Sequence, residues 1–373
     1  MRARDMNIQI GEAPSGPKDA ITDVPGVRVG HATLIQGDGP LVVGQGPVRT
    51  GVTVVIPHER VGRALLFAGC HRLNGNGEMT GLEWVRESGV LSSPIGLTNT
   101  HSVGRVRDAI VAAAARDQDP RSAWWSLPVV AETWDGTLND INGQHVQEEH
   151  VHEALASADQ GPVPEGNVGG GTGMICHGFK GGVGTASRVL PRSAGGYTVG
   201  VLVQANHGRR ERLSVNGVPV GRAIPTSEVP LATPRTQPWD WPEPRAGGSI
   251  IVVVATDAPL LPHQCERLAQ RAGLGVARMG GAGEHSSGDL FIAFATGNAD
   301  AVDATSDGAP SITNDIRALS DDYVTPFYYA VIEATEGAIL NALLQAETMT
   351  GRDGNTAHAL EPGRLSEVMA SRG

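Results

Sequence analysis

Glycine fills 50 of the 373 positions, about twice the usual share of roughly 7%, while aromatic residues make up only 4%. A chain of this kind turns often and packs backbone against backbone, since glycine lacks the Cβ that holds neighbours apart. Layers of sheet and helix suit such packing better than a helical bundle does, so an α/β layered fold is expected. With 40% hydrophobic and 18% charged residues, the length supports one large domain or two ordinary ones around a buried core. A disordered tail, a disulfide mini-protein and a fibrous repeat are excluded.

Lys and Arg number 29 against 40 Asp and Glu, a net charge of −11. The arginines are scattered singly, so the stripe of cations that a phosphate backbone needs is missing, and no nucleic-acid partner is expected. Cys70, Cys176 and Cys265 are far apart and odd in number. They read as small core residues of a reducing compartment rather than a disulfide frame. The N-terminal stretch MRARDMNIQIGEAPSGPKDAITD has no apolar h-region, and no run of 18 apolar residues occurs anywhere. Neither a signal peptide nor a membrane span is expected, and the location reads as cytoplasmic.

ITDVPGVRVGHATLI and TGVTVVIP read as strands within residues 19–56, and PVVAET (128–133), YTVGVLVQAN (197–206), IIVVVA (250–255) and GDLFIAFAT (288–296) as further strands. Helical spacing marks 104–117, with Val106, Ile110, Ala113 and Ala114 on one face, and 145–158. A helix is also expected from Pro259 to a C-capping Gly273, and another over 326–349 opened by Pro326. No internal repeat is visible.

Between these elements lies an anomaly. Residues 225–244 hold six prolines, and Ala-Gly-Gly follows at 246–248. Neither a helix nor a central strand is expected there. A long structureless stretch inside a compact domain marks a functional loop or a connector. This one, 225–248, ends abruptly at one of the most apolar strands of the chain, and Ser249 stands on the boundary.

Familiar signatures are missing. There is no G-x-x-x-x-G-K-[ST], and the cluster around Gly169 and Gly171 does not complete G-x-G-x-x-G, because Met174 follows. There is no G-x-S-x-G and no H-E-x-x-H. His145, His150 and His152, with Glu148 and Glu149, spread around a helix and read as a solvated face, so neither metal nor cofactor is expected. Ser249 remains. A serine after Gly-Gly, at the head of a buried strand, suits a nucleophile that attacks the preceding carbonyl and becomes a new N-terminus. The glycine tolerates the backbone strain that attack requires, and the freed α-amine, with a pKa of roughly 7.7–8, is a local base. The same Gly-Gly-Ser is also ordinary turn chemistry.

The blocks ITDVPGVRVGH, PVVAETWDGTLND, EGNVGGGTGMICHGFKGGVGTASR, VGVLVQANHGRR, SIIVVVATDAPLLPHQCERLAQRAGLGVAR, SSGDLFIAFAT and EATEGAILNALLQAETMTG together resemble the L-aminopeptidase D-amidase/D-esterase (DmpA) family, which also contains the β-peptidyl aminopeptidases. The resemblance runs from about residue 17 to 352. It implies a four-layer αββα sandwich similar to N-terminal-nucleophile hydrolases but differently connected. It further implies one domain, 1–373, cleaved at Gly248–Ser249 into chains 1–248 and 249–373, and a homotetramer of the cleaved pair. Carried onto this chain, Ser249 is the nucleophile, Asn206 the oxyanion donor, and Ser287 the serine that hydrogen-bonds the nucleophile. Asp289 lies where members can carry glutamate, so its carboxylate is about one methylene shorter. Glu132 matches the acid that receives the substrate ammonium. Trp134 falls where a tyrosine can contribute, and its indole donates but does not accept. The two glycine clusters either bring backbone close to the serine or serve close sheet packing.

The implied activity is a self-processing serine aminopeptidase that acts on small peptides, amides or esters through an acyl-enzyme, with D- or β-residues among the N-terminal residues in question. Two other readings stand beside it. An acyltransferase resembling the ornithine acetyltransferases would use a threonine nucleophile, where this chain has serine. An inactive precursor serving as a binding protein would have no use for Ser249, Asn206 and Glu132 together.

Overall fold

The computed structural model describes residues 1–119, 121, 123–233, 248–301 and 312–371. Most of the proline-rich connector, 234–247, therefore lies outside the described residues. The chain opens with strands β1 (Arg28–Gln36), β2 (Val48–Ile56) and β3 (Phe67–Gly75), helix α1 (Leu82–Ser88), strand β4 (Ile95–Asn99) and helix α2 (Val103–Ala115). Strand β5 (Val129–Thr133), helix α3 (Glu148–Ala156), the short pair β6 (Ile175–Cys176) and β7 (Phe179–Lys180), and strands β8 (Gly182–Val189) and β9 (Thr198–Asn206) follow. After α4 (Val220–Ala223) come β10 (Ser249–Thr256), α5 (Pro262–Arg278), β11 (Gly288–Ala295), α6 (Thr325–Gln345), the pair β12 (Met349–Thr350) and β13 (Thr356–Ala357), and α7 (Pro362–Ala370).

Two sheets form the centre. One has the order β1-β2-β4-β5, the other β3-β11-β10-β9-β8. In the second, β10 runs parallel to β11 and antiparallel to β9. All eight residues of β10 are buried, which is why its run 250–255 is continuously apolar rather than alternating. Ile251, Val253 and Ala255 face Ile95, Leu97 and Val129 of the other sheet. Ile250, Val252 and Val254 face the helix layer of α5 and α6. Helices α2 and α3 cover the far side of the first sheet through Val106, Ile110 and Val151. The stack is helix, sheet, sheet, helix: the four-layer αββα sandwich. Each fully buried Val or Ile contributes about 1.5–3 kcal/mol, so the strand that carries Ser249 is among the most firmly anchored in the molecule.

Three local expectations change. The first strand begins at Arg28, because Ile21–Asp23 form a 3-10 turn held by Thr185 Oγ1, which accepts the Ile21 N–H at 2.8 Å. Gly273 does not cap a helix: α5 begins at Pro262 rather than at Pro259 and runs through Gly273 to Arg278. The small residues serve helix packing instead, since a Cβ on Gly275 would lie 2.6 Å from Thr335 Cβ of α6. Helix α6 stops at Gln345, and Met349–Thr350 pair as a strand. The glycine clusters serve close layer packing. A Cβ on Gly170 would sit 2.1 Å from Gln204 Oε1 and 2.8 Å from Leu97 O, and one on Gly184 2.0 Å from Ala338 O.

Candidate active site

Ser249 begins β10, where it is the direct partner of Asn206 at the end of β9 and of Gly288 at the start of β11. Three adjacent strands thus place an asparagine, a serine and a glycine in one row, and all three are buried. The Ser249 hydroxyl accepts a hydrogen bond from the Gly288 N–H at 3.2 Å. That N–H also reaches the Gly248 carbonyl at 3.2 Å. The carbonyl preceding the serine is therefore polarised by a fixed donor, a role that inspection of side chains alone overlooks.

Asn206 is held from both ends of its amide. Its Oδ1 accepts the Ile175 N–H at 2.8 Å, and its Nδ2 donates to the Trp134 carbonyl at 3.0 Å. The amide orientation is thereby set, and the second N–H of Nδ2 is left for another acceptor. Trp134 contacts Asn206 through its backbone, while its indole lies over Gly136, whose added Cβ would meet the ring at 2.6 Å. Ile175 is positioned by the glycine-rich segment, which Lys180 ties down. The fully buried Lys180 Nζ donates to the carbonyls of Met174 and Gly181, each at 2.9 Å, and of Gly171 at 3.3 Å. Desolvation pushes its pKa down to about 7.

On the other flank, the Ser287 hydroxyl donates to Asp289 Oδ1 at 2.6 Å. The shorter carboxylate does reach this serine. Burial raises the Asp289 pKa to about 6 against the lowering effect of the Ser287 hydrogen bond, and the Glu284 charge adds to the rise. Among the described residues no hydrogen bond joins Ser287 to Ser249. The pair sits one residue either side of Gly288, the direct neighbour of the nucleophile candidate.

Glu132 lies in β5, only 2% exposed. Its Oε1 accepts the Glu78 N–H at 3.0 Å, and its Oε2 accepts the Thr100 hydroxyl. Among the described residues no Lys or Arg pairs with it. Desolvation pushes its pKa up, opposed by those two hydrogen bonds. A buried carboxylate with hydrogen bonds but no Lys or Arg partner can receive a positive group. Gly77 links it to the row of three: a Cβ there would lie 2.9 Å from Glu132 Oε1 and 3.2 Å from Gly288 Cα. Gly77 also lines a cavity of about 450 Å³ with Met79, Trp84, Leu127 and Leu290, and Arg72 at its edge. Thr100, Glu78, Gly77 and Gly288 were not among the residues expected from sequence. The first three lie far from Glu132 along the chain, and Gly288 acts only through its backbone.

The histidines of 145–152 stay apart from this site. His145 pairs with Asp140 at 2.9 Å, His150 Nδ1 accepts the Gln147 N–H at 3.0 Å, and His152 lies 3.4 Å from Glu148. The three cysteines are buried and free.

An αββα sandwich with a serine heading its central strand, beside an asparagine amide and near a buried carboxylate, defines a hydrolase of the N-terminal-nucleophile type of fold. A profile of peptidase family S58 matches residues 19–357, and the chain belongs to that family. It is 48% identical over 370 residues to the beta-peptidyl aminopeptidase BapA of Sphingosinicella microcystinivorans, covering 99% of this chain and 91% of the relative. Among solved structures, a Burkholderia sp. beta-aminopeptidase superposes with a TM-score of 0.90 at 50% identity, over 100% of this chain and 99% of the other. The L-aminopeptidase D-Ala-esterase/amidase of Ochrobactrum anthropi, described as a variant of the Ntn-hydrolase fold, gives 0.86 at 42% identity over 100% and 99%. The present chain is a hydrolase of the aminopeptidase type. No helix among the described residues is long and apolar enough to cross a membrane.

Proposed function

We propose that this aminopeptidase is self-processing and that Ser249 serves both reactions. The observation that carries the reading is the in-register row Asn206, Ser249, Gly288. In processing, Ser249 Oγ attacks the Gly248 carbonyl. The C–O bond forms, the C–N bond breaks, and the Ser249 nitrogen leaves as a free amine. Water hydrolyses the resulting ester, leaving the Gly248 carboxylate on chain 1–248 and restoring the hydroxyl on chain 249–373. The new α-amine then takes the hydroxyl proton when Ser249 attacks substrate. Asn206 donates to the oxyanion, a contact worth about 3–4 kcal/mol. Asp289 holds Ser287, which orients the groups around the nucleophile, and Glu132 receives the substrate ammonium. Trp134 shapes the substrate side of Asn206 through its carbonyl.

The substrates are small peptides, amides or esters with a free amino terminus. β-Residues are accepted beside L-residues, a specificity supported by the names of the relatives at 48% and 42% identity. A reducing, cytoplasmic setting is supported by the three free buried cysteines. The homotetramer of cleaved pairs rests on the family resemblance, and light scattering on the purified protein checks it. The test of the activity is a panel of aminoacyl-p-nitroanilides. Free L- and β-aminoacyl substrates should turn over and release the amino acid to water. Transfer of the acyl group to added amines in place of hydrolysis would favour an acyltransferase.

A further inference from the structure

Cys176, His177 and His207 form a cluster that the chemistry above does not use. Cys176 and His177 are 0% exposed and His207 3%. One donor atom from each lies within 4.8 Å of the other two. Cys176 and His177 are adjacent, and in a regular strand their side chains would face opposite ways. His177 instead adopts φ 49°, a left-handed turn conformation uncommon outside glycine, Asn, Asp and His. That turn lets neighbouring residues converge on His207.

Hydrogen bonding decides which lone pairs remain. His177 Nδ1–H donates to the Arg209 carbonyl at 3.0 Å, so its Nε2 carries a lone pair, and that atom is buried without a partner. His207 Nδ1 faces Cys176 Sγ at 3.8 Å, and its Nε2 is likewise buried without a partner. A neutral imidazole whose N–H is taken by a backbone carbonyl is the arrangement that orients metal-bound histidines. Glu284 Oε1, whose charge acts on His177, is also buried without a partner.

We propose that Cys176 Sγ, His177 Nε2 and His207 Nδ1 bind one zinc-class divalent ion. Bonds of about 2.3 Å to sulfur and 2.0–2.1 Å to nitrogen place tetrahedral donors roughly 3.5 Å apart, close to the 3.8 Å already separating Sγ from Nδ1. The thiol proton passes to solvent as the metal–sulfur bond forms. The thiolate, with the nearby Glu284 charge, then offsets the charge of the ion beside Arg210 and Arg212, whose fields also reach His177. The ion would fasten β6 to the residue after Asn206. These same segments already meet through the hydrogen bonds from Ile175 N–H to Asn206 Oδ1 and from His177 N–H to His207 O.

Because the site is sealed, the ion must enter during folding, so the full chain is produced in zinc- or cobalt(II)-supplemented medium and its metal content measured. One ion per chain is expected, with a thiolate-to-cobalt charge-transfer band in the cobalt form. Cys176→Ala should abolish both. His177→Gln, which keeps the thiol but removes one nitrogen donor, should be recovered with clearly less than one ion per chain, while the cobalt it does hold still shows the thiolate band. Protein recovered without metal, a cobalt form lacking the thiolate band, or metal content unchanged in Cys176→Ala overturns the site.

Discussion

The Ser249 hydroxyl accepts a hydrogen bond from the Gly288 backbone N–H at 3.2 Å. Because the same N–H reaches Gly248 O, it stands where negative charge develops when the hydroxyl attacks. A Cβ on Gly288 would lie 2.5 Å from Asn76 O, so Gly288→Ala must displace this donor. A displacement near 1 Å costs about 10²-fold in rate. A time course of precursor cleavage should slow by that order, and an unchanged rate would remove the N–H from the reaction.

Asn206→Ala should lower kcat about 10²–10³-fold with little change in KM, because the contact strengthens only as the oxyanion forms. Acyl-enzyme formation and hydrolysis should slow together in pre-steady-state measurements. A rise in KM alone would make Asn206 a substrate-binding residue instead.

Glu132→Gln should chiefly reduce kcat/KM for substrates with a free amine and leave precursor cleavage largely intact, since no free ammonium is bound in the uncut chain. N-acetylated substrates should be poor for the native protein, having lost the charge that the buried carboxylate is placed to meet. Equal turnover of capped and free substrates contradicts the assignment.

The Asp289 pKa of about 6 gives the activity a pH signature. Above it the carboxylate is ionised and accepts the Ser287 proton-bearing hydroxyl; below it the carboxyl is neutral and the acceptor is weakened. Activity should therefore fall as pH drops through about 6, beneath any limb from the Ser249 α-amine at roughly 7.7–8. Asp289→Asn should lower the rate and erase the lower inflection. Its persistence would assign that limb to another group.

Much of this architecture is legible from residue pattern. Strands β10 and β11 carry unbroken apolar runs at 250–255 and 290–295, because both faces are covered, and Ser249 is conspicuous where a proline-rich segment meets one of them. Strand β3 escapes notice since it sits at the sheet edge and carries exposed residues such as Arg72 and Leu73. The end of α5 is misjudged because Gly273 signals a cap locally, while helix contact at Gly275 decides the outcome. At the site, residue pattern alone points to Ser249; Asn206 and Glu132 come from the family resemblance, and their supports from neither. Thr100 and Glu78 reach Glu132 only through the tertiary fold, and the Gly288 donor has no side chain to betray it.

The central claim is that one serine cuts its own chain and then becomes the catalyst, and the intact mass of the purified protein tests it most directly. Native protein should contain two chains, 1–248 and 249–373, the second beginning Ser-Ile-Ile-Val, whereas Ser249→Ala should remain a single uncut chain without aminopeptidase activity. A native protein that stays whole yet hydrolyses free-amine substrates, or a Ser249→Ala variant still cleaved between 248 and 249, would contradict the account.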